Sequence, residues 1–362
     1  MKKIMMMALA VAVLSVSYSC KKGVEGSDAE KLDDRATLER LFQSLNGANW
    51  DEDDKANWCT DAPLSEWDGV KTNAEGRVTE LRLVSSAVKG QLPAEIINLS
   101  ELEVLDLSLS NRDSVVKNPV PAELFRLPKL KNLAVRVFVK NDAAADQYGT
   151  LPETINLPAL EHLTTNRIIG NYSQLAQMKN LKSITIKYSC ADIPDEIGQL
   201  SNLEDIFWEN AEEQLNTRPL TQEIGKLSKL RFFRYYPEGS KDEAVPEVLK
   251  NLKALENIQT KKLCSKDAEL PSWLFELPEL AYVSIEESNL SGDLPATIGS
   301  NGKLRSLDLS NNPKLTGTIP ASIANCDKFY SLELGKTGVS QTLPASLKVL
   351  KEFSKFGDKI FK

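Results

Sequence analysis

Histidine is nearly absent from this chain: His162 is the one histidine in 362 residues. A zinc site built from two or three histidines is therefore excluded within one chain, and His162 is the single candidate for a histidine-based catalytic or pH-sensing group. Its simpler reading is a solvated polar residue beside Thr164 and Asn166. Neither G-x-x-x-x-G-K-[ST] nor G-x-S-x-G occurs, so phosphate-cradling loops and hydrolase elbows have no support. An excess of positive charge is missing too. The net charge is −7 and the pI about 5.2, which argues against general nucleic-acid binding. The acidic run Asp51–Glu52–Asp53–Asp54 lacks the alternating spacing and central glycine of a calcium loop, and reads as a solvated loop. No cofactor, no metal and no enzymatic activity are expected. Paired carboxylates remain the one enzymatic arrangement that plentiful acids leave open.

Long apolar runs are also scarce. The stretch from Ile4 to Val16 is too short to span a bilayer, and it follows Lys2 and Lys3 and precedes small residues, the pattern of a secretory signal peptide. It ends on Cys20. Four further cysteines, Cys59, Cys190, Cys264 and Cys326, are spread through the chain. Their expected role is that of buried free thiols acting as small apolar residues.

What the chain has in abundance is repetition. The phrase L-x-x-L-x-L, apolar at its first, fourth and sixth places, begins at Val78, Leu102, Leu130, Leu160, Leu181, Leu203, Leu230, Leu255, Leu280, Leu304 and Phe329. Successive starts lie roughly 21 to 30 residues apart, a period that signals a stacked-repeat architecture. A proline preceded by Leu, Ile or Val recurs later in most units, as at Pro93, Pro194 and Pro320; the unit starting at Leu203 has Leu220–Thr221 in its place. Each unit supplies a short strand, a turn that the proline is expected to close, and a return segment. One unit cannot bury its own leucines, but stacked units share a continuous core, so a single elongated domain is predicted.

The unit L-x-x-L-x-L-x-x-N-x-L-[ST]-G-x-[IL]-P, clearest from Leu280 to Pro320 and in 90–108, resembles the plant-type leucine-rich repeats. The resemblance implies an α/β repeat: a curved leucine-rich-repeat solenoid with parallel strands on its concave face, behind a helical N-terminal cap. DRATLERLFQSLNGANW at 34–50 and APLSEWDGVKTNAEGRVTELRL at 62–83 resemble that cap. In plant caps two cysteines bracket the W-x-G-V phrase. Here Cys59 has no such partner, which points away from plant receptors and toward the bacterial lipoproteins of Bacteroides-like organisms.

The expected organisation is a lipoprotein signal peptide at 1–20, a polar tether at 21–30, the cap at 31–77, about eleven repeats over 78–345, and a C-terminal cap at 346–362. Ser17–Tyr18–Ser19–Cys20 resembles a relaxed bacterial lipobox, so Cys20 is expected to be acylated and to anchor the chain in the cell envelope as an outer-membrane lipoprotein. The alternative is ordinary cleavage nearby. Lys21 and Lys22 do not match the acidic surface-export signal, and surface and periplasmic sides stay equally open. Asp113–Ser114–Val115 resembles a Bacteroides-type O-glycosylation acceptor.

In leucine-rich repeats the third, fifth, seventh and eighth places face the inside of the curve. Applied here, that rule gives a central group of Arg136, Arg167, Lys187, Tyr188, Phe207, Glu209, Phe232, Arg234, Tyr236, Lys261, Lys262 and Tyr282, flanked by acids such as Glu80, Asp106, Glu286 and Asp308. The nine from Lys187 to Lys261 and Tyr282, without Lys262, form the candidate ligand-binding set. Aromatics together with Arg are favoured at recognition surfaces and disfavoured on a merely solvated face. The competing register shifts the middle units by one, burying Phe232 and Tyr236 and exposing Phe233 and Tyr235. The expectation is a monomer that binds a protein or glycan through this face; a structural subunit of an outer-membrane complex is the alternative.

Overall fold

The computed structural model describes residues 31–84, 87–111, 120–139, 149–166, 168–189, 191–211, 216–340 and 342–348. The expected signal peptide with Cys20, the expected tether, Ser114, Arg167, Cys190 and the last residues of the expected C-terminal cap lie outside them. Among the described residues no helix is long and apolar enough to cross a membrane.

The predicted strands form one twelve-stranded sheet. Its first strand, Val70–Thr72, runs antiparallel to Val78–Val84; every later neighbour is parallel, one strand per repeat. The fourth places of all eleven units stand in a single row across the sheet: Leu81 opposite Leu105, then Leu133, Leu163, Ile184, Ile206, Phe233, Ile258, Val283, Leu307 and Leu332. Every one is buried. Since strand side chains alternate in direction, burial of the fourth and sixth places puts the third, fifth and seventh on the other face.

The middle units, where the spelling is loosest, keep the register with larger groups. Trp208 and Tyr235 occupy sixth places with 0% and 1% exposure. Their polar ends are satisfied: the Trp208 indole N–H donates to the Ala191 carbonyl at 3.2 Å, and the Tyr235 hydroxyl accepts from the Asn216 amide at 2.7 Å. Burial raises the Tyr235 pKa, so its hydroxyl stays protonated. The one-residue shift is thereby excluded: Phe233 is buried, and Phe232, Arg234 and Tyr236 are half-exposed.

Two expectations need correction. The recurrent proline does not close the turn after the strand; it opens the return segment, a short 3-10 turn such as Ala94–Asn98, Asp195–Gln199 or Ala321–Asn325. Its carbonyl accepts the N–H three residues on, as Ile96 N to Pro93 O at 3.2 Å. Where Thr221 replaces proline, its hydroxyl accepts the Glu223 N–H at 3.2 Å and caps Gln222–Lys226 in the same place. The repeat's helical half is thus made of 3-10 turns, each burying an apolar residue three places after the proline, including Ile96, Ile197 and Ile323 at 0% exposure. The second correction is Cys59, which is free and exposed, whereas Cys264 and Cys326 are the buried thiols expected. Burial pushes the Cys264 thiol up to about 12.

The cap closes without a disulfide. The helix Asp34–Ser44 starts on Asp33, whose carboxylate accepts the Ala36 N–H at 2.8 Å. Buried Asp34 accepts two bonds from Arg77, at 2.9 and 3.0 Å, and one from the Val78 N–H at 2.7 Å, tying helix to first repeat. Trp50, Trp58 and Trp67 pack in series, with centroids 5.3 and 5.0 Å apart. Gly69 of the W-x-G-V phrase has φ +71, and a Cβ there would meet the Arg82 carbonyl oxygen at 2.1 Å.

After the strand, polar residues finish the unit. Asn312, fully buried, donates to the carbonyls of Ile285 and Leu309 at 2.8 and 2.9 Å and accepts the N–H groups of Ser288 and Leu290 at 2.9 and 3.0 Å. One amide therefore pairs backbone groups of two units.

Leu307→Ala should destabilise by about 2–5 kcal/mol, whereas Asp308→Ala, one residue on but half-exposed, should cost about 1 kcal/mol, for the bond its carboxylate accepts from the Ser310 N–H at 2.9 Å. Chemical denaturation of both variants checks the register; equal losses contradict it. Asn312→Ala should cost about 1–3 kcal/mol for each backbone group left orphaned, and a neutral result in the same assay would show that water replaces the amide.

Candidate functional site

The outward face of the sheet gathers its aromatics and cations over three neighbouring strands, Ser183–Ser189, Asp205–Asn210 and Phe232–Tyr236. Phe207 is the centre. Tyr236 meets its ring edge-on at 5.4 Å between centroids, the Lys187 ammonium lies 4.8 Å from the ring centroid, and the Arg234 guanidinium lies 4.9 Å from it. Both cation distances are within the range at which a ring's quadrupole attracts positive charge.

Of the nine candidate residues, the structure therefore gathers Lys187, Arg234 and Tyr236 around Phe207. Glu209 lies on the strand between Lys187 and Tyr236 and pairs in register with Tyr236. Burial raises its pKa, and the nearby Lys187 charge opposes that rise. The Tyr236 hydroxyl is pushed up by burial as well. Lys261 stands one strand beyond and is paired with Glu286 at 3.1 Å, which raises its pKa. Phe232 and Tyr282 are half-buried on the same face but apart from the cluster; the Arg231 guanidinium covers Phe232 at 5.1 Å, and Arg305 reaches the Tyr282 hydroxyl at 3.5 Å.

Tyr188 is 43% exposed and has φ +53. It occupies an eighth place, and the eighth places Lys262, Glu287, Asn311 and Lys336 are left-handed too. The left-handed turn after the strand thus belongs to the repeat, and a bulky aromatic there is held against its own preference. This conformation coincides with the register shift between Ile186 and Ser189, which carries Lys187 over Phe207.

The aromatic and cationic character read from the sequence is real, but its net charge is smaller than the spelling suggests. Arg234 is paired with Asp205 at 2.9 Å, and Lys262 with Glu238 at 2.9 Å. On the flank, Arg136 meets Asp106 and Arg82 meets Glu80 at 2.6 Å, so the flanking acids are largely neutralised as well. Asp205 was legible as a third-place residue, and omitting it made the centre look more basic than it is. His162 is exposed on its strand, between Asn132 and Ser183.

A model of the leucine-rich-repeat family matches residues 303–326. A probable leucine-rich repeat receptor-like protein kinase from Arabidopsis thaliana is 35% identical over 91 residues, covering 25% of this chain and 8% of that protein. The TMV resistance protein N of Nicotiana glutinosa is 32% identical over 149 residues, covering 40% of this chain and 12% of that protein. The matched segments thus span only a small part of either relative. Among solved structures, the Arabidopsis receptor kinase HAESA, in complex with the peptide hormone IDA and the co-receptor SERK1, is similar over 88% of this chain and 56% of its own, with TM-score 0.64 and 20% identity. An internalin (inlF) of Listeria monocytogenes is similar over 73% and 69%, with TM-score 0.51 and 16% identity. At such identities the likeness concerns the fold. The fold is a leucine-rich-repeat solenoid.

Within that solenoid the candidate residues lie on the strand face, outside the shared core. Replacing Phe232, Arg234 and Tyr236 together by Ala should move the melting temperature little, whereas Leu304, Leu307 and Leu309 together replaced by Ala should unfold the array. Thermal melts of the two triples decide it: similar collapse would mean that the three face residues carry core packing.

Proposed function

We propose that this chain is a recognition protein of the bacterial cell envelope that binds a protein segment on its strand face and is anchored through acylated Cys20. The observation that carries the binding half is the Phe207 cluster. Aromatic side chains held half-exposed beside cations give no core packing to the repeat and match the composition of binding hot spots. The distribution of exposed apolar groups supports the same face. Among the described residues, the three large ones are Val84, Tyr188 and Tyr330; Val84 ends the strand Val78–Val84, Tyr188 lies at the end of Ser183–Ser189, and Tyr330 is in the last repeat. A scaffold subunit would instead call for exposed apolar groups on the return side, where the described residues show none of that size.

The similarity to receptor ectodomains adds weight to a protein partner, because HAESA is seen with a peptide hormone and a co-receptor. Neither is carried over to this chain. The repeat class supplies the scaffold, and its variable outward places supply the specificity. The envelope half rests on the sequence: the short apolar run, the relaxed lipobox and the polar tether at 21–30. No catalytic role is assigned to any residue.

Two measurements test the proposal. The full chain should partition into the detergent phase when expressed in a bacterium that processes lipoproteins, and Cys20→Ala should not; equal partitioning removes the anchor. In a pull-down from envelope and host-mucus extracts, a protein retained by the wild type should be lost when Phe207, Arg234 and Tyr236 are all changed to Ala. A true anchor among them should cost about 2 kcal/mol or more, over twenty-five-fold in affinity. Retention of a glycan instead, or retention unaffected by the triple change, overturns the assignment of a protein to this face.

A further inference from the structure

Seventh-place residues on successive strands read Lys187, Glu209, Tyr236, Lys261 and Glu286. A Lys–Glu couple thus stands on each side of Tyr236. The two couples are in different states. Lys261 and Glu286 are closed into an ion pair at 3.1 Å. Lys187 and Glu209 are open: among the described residues neither side chain has a hydrogen bond or an ion pair, and the Lys187 ammonium lies 4.8 Å from the Phe207 ring centroid.

The cause is local backbone. Both couples are followed by a left-handed residue, Tyr188 or Lys262, but Lys261 stands in register opposite Glu286, whereas the shift between Ile186 and Ser189 takes Lys187 out of register with Glu209 and leaves it over Phe207. The result is unfavourable for the isolated chain. Glu209 is half-buried without a donor, and desolvation raises its pKa. Burying a carboxylate without pairing it costs free energy that a simple pairing would recover. A surface that keeps two opposite charges apart, each at the edge of an aromatic pair, is complementary to a partner that brings the opposite charges in the same order.

We propose that Lys187 and Glu209 form an open charge clamp that selects a protein segment carrying a carboxylate and an ammonium or guanidinium side by side, with an apolar side chain laid on the Phe207–Tyr236 pair. The carboxylate meets Lys187 and the cation meets Glu209. Adjacent strands are ~4.8 Å apart, and alternate side chains of an extended segment are about 6.7 Å apart on one face, so acid and base two residues apart match the reach of two long side chains. Arg234 does not compete for the carboxylate, because Asp205 already holds it. The clamp rests on the reading that the strand face binds protein, and it names the chemistry selected there.

The test uses the full chain and a panel of synthetic peptides of equal length. Two have Leu-Ser-Asp-Ser-Lys or Leu-Ser-Lys-Ser-Asp cores, which put leucine, acid and base on one face of an extended segment, and the others have two acids, two bases or neither beside the same leucine. Binding is read by fluorescence anisotropy. One mixed-charge order should bind at least about tenfold tighter than every peptide with a single sign or none. Lys187→Met and Glu209→Gln should each erase that preference with the melting temperature unchanged, and the double reversal Lys187→Glu with Glu209→Lys should favour the opposite order. Single-sign or neutral peptides bound as tightly as the mixed ones, with loss only on Phe207→Ala or Tyr236→Ala, would overturn the clamp and leave the recognition face standing. No peptide bound, or binding indifferent to all four positions, would remove clamp and face together.

Discussion

Everything in this protein depends on one constraint: a repeat cannot bury its own leucines. Each strand offers two or three apolar side chains to one side, and the return turn offers two more. Only the units before and after can cover them. The row of fourth-place residues running from Leu81 to Leu332 is the visible form of that dependence. Because the row is continuous, no unit can slip by one residue without exposing its own core positions and breaking the row on both sides. The ragged middle units hold the same register as the regular ones for that reason, although Trp208, Phe233 and Tyr235 stand where leucine usually does.

Ends and turns solve the problems that stacking creates. At the first strand the stack would leave an open edge and exposed leucines; the antiparallel strand Val70–Thr72 covers the edge, and the helix and packed indoles cover the core. The bidentate Asp34–Arg77 contact fixes where the helix sits. A cap of this kind has no need of a cross-link, which is consistent with the single exposed Cys59. At each turn the backbone must leave the sheet with its polar groups paired. Asn312 does this for two units at once, and Thr221 does with a hydroxyl what the other return segments do with proline.

The candidate site is a by-product of the same alternation. Once the fourth and sixth places are committed to the core, the third, fifth and seventh are free to vary without cost to the stack, and specificity can be written there. Most of the charges written on this face are spent on each other across strands. Exposed pairs of that kind contribute little to stability, at most about 1 kcal/mol each, but they decide which charges are left for a partner. Lys187 and Glu209 are what remains in the centre.

The sequence by itself determined the architecture. Eleven apolar phrases at a regular period admit one kind of stack, and each phrase holds one of the strands observed from Val78–Val84 to Ser331–Glu333. Which face each side chain of Phe232–Tyr236 occupies was left open between two registers, and the fourth-place row in the sheet chose between them. The prolines were visible, but their role was not, because the 3-10 turn they open is set by packing against the neighbouring return segment. Only the tertiary structure decided how the face charges pair. Asp205 with Arg234, Lys261 with Glu286, and the failure of Lys187 to reach Glu209 depend on cross-strand distances and on the register shift after Ile186, and side-chain pairing between residues some 25 positions apart leaves no mark in a single sequence.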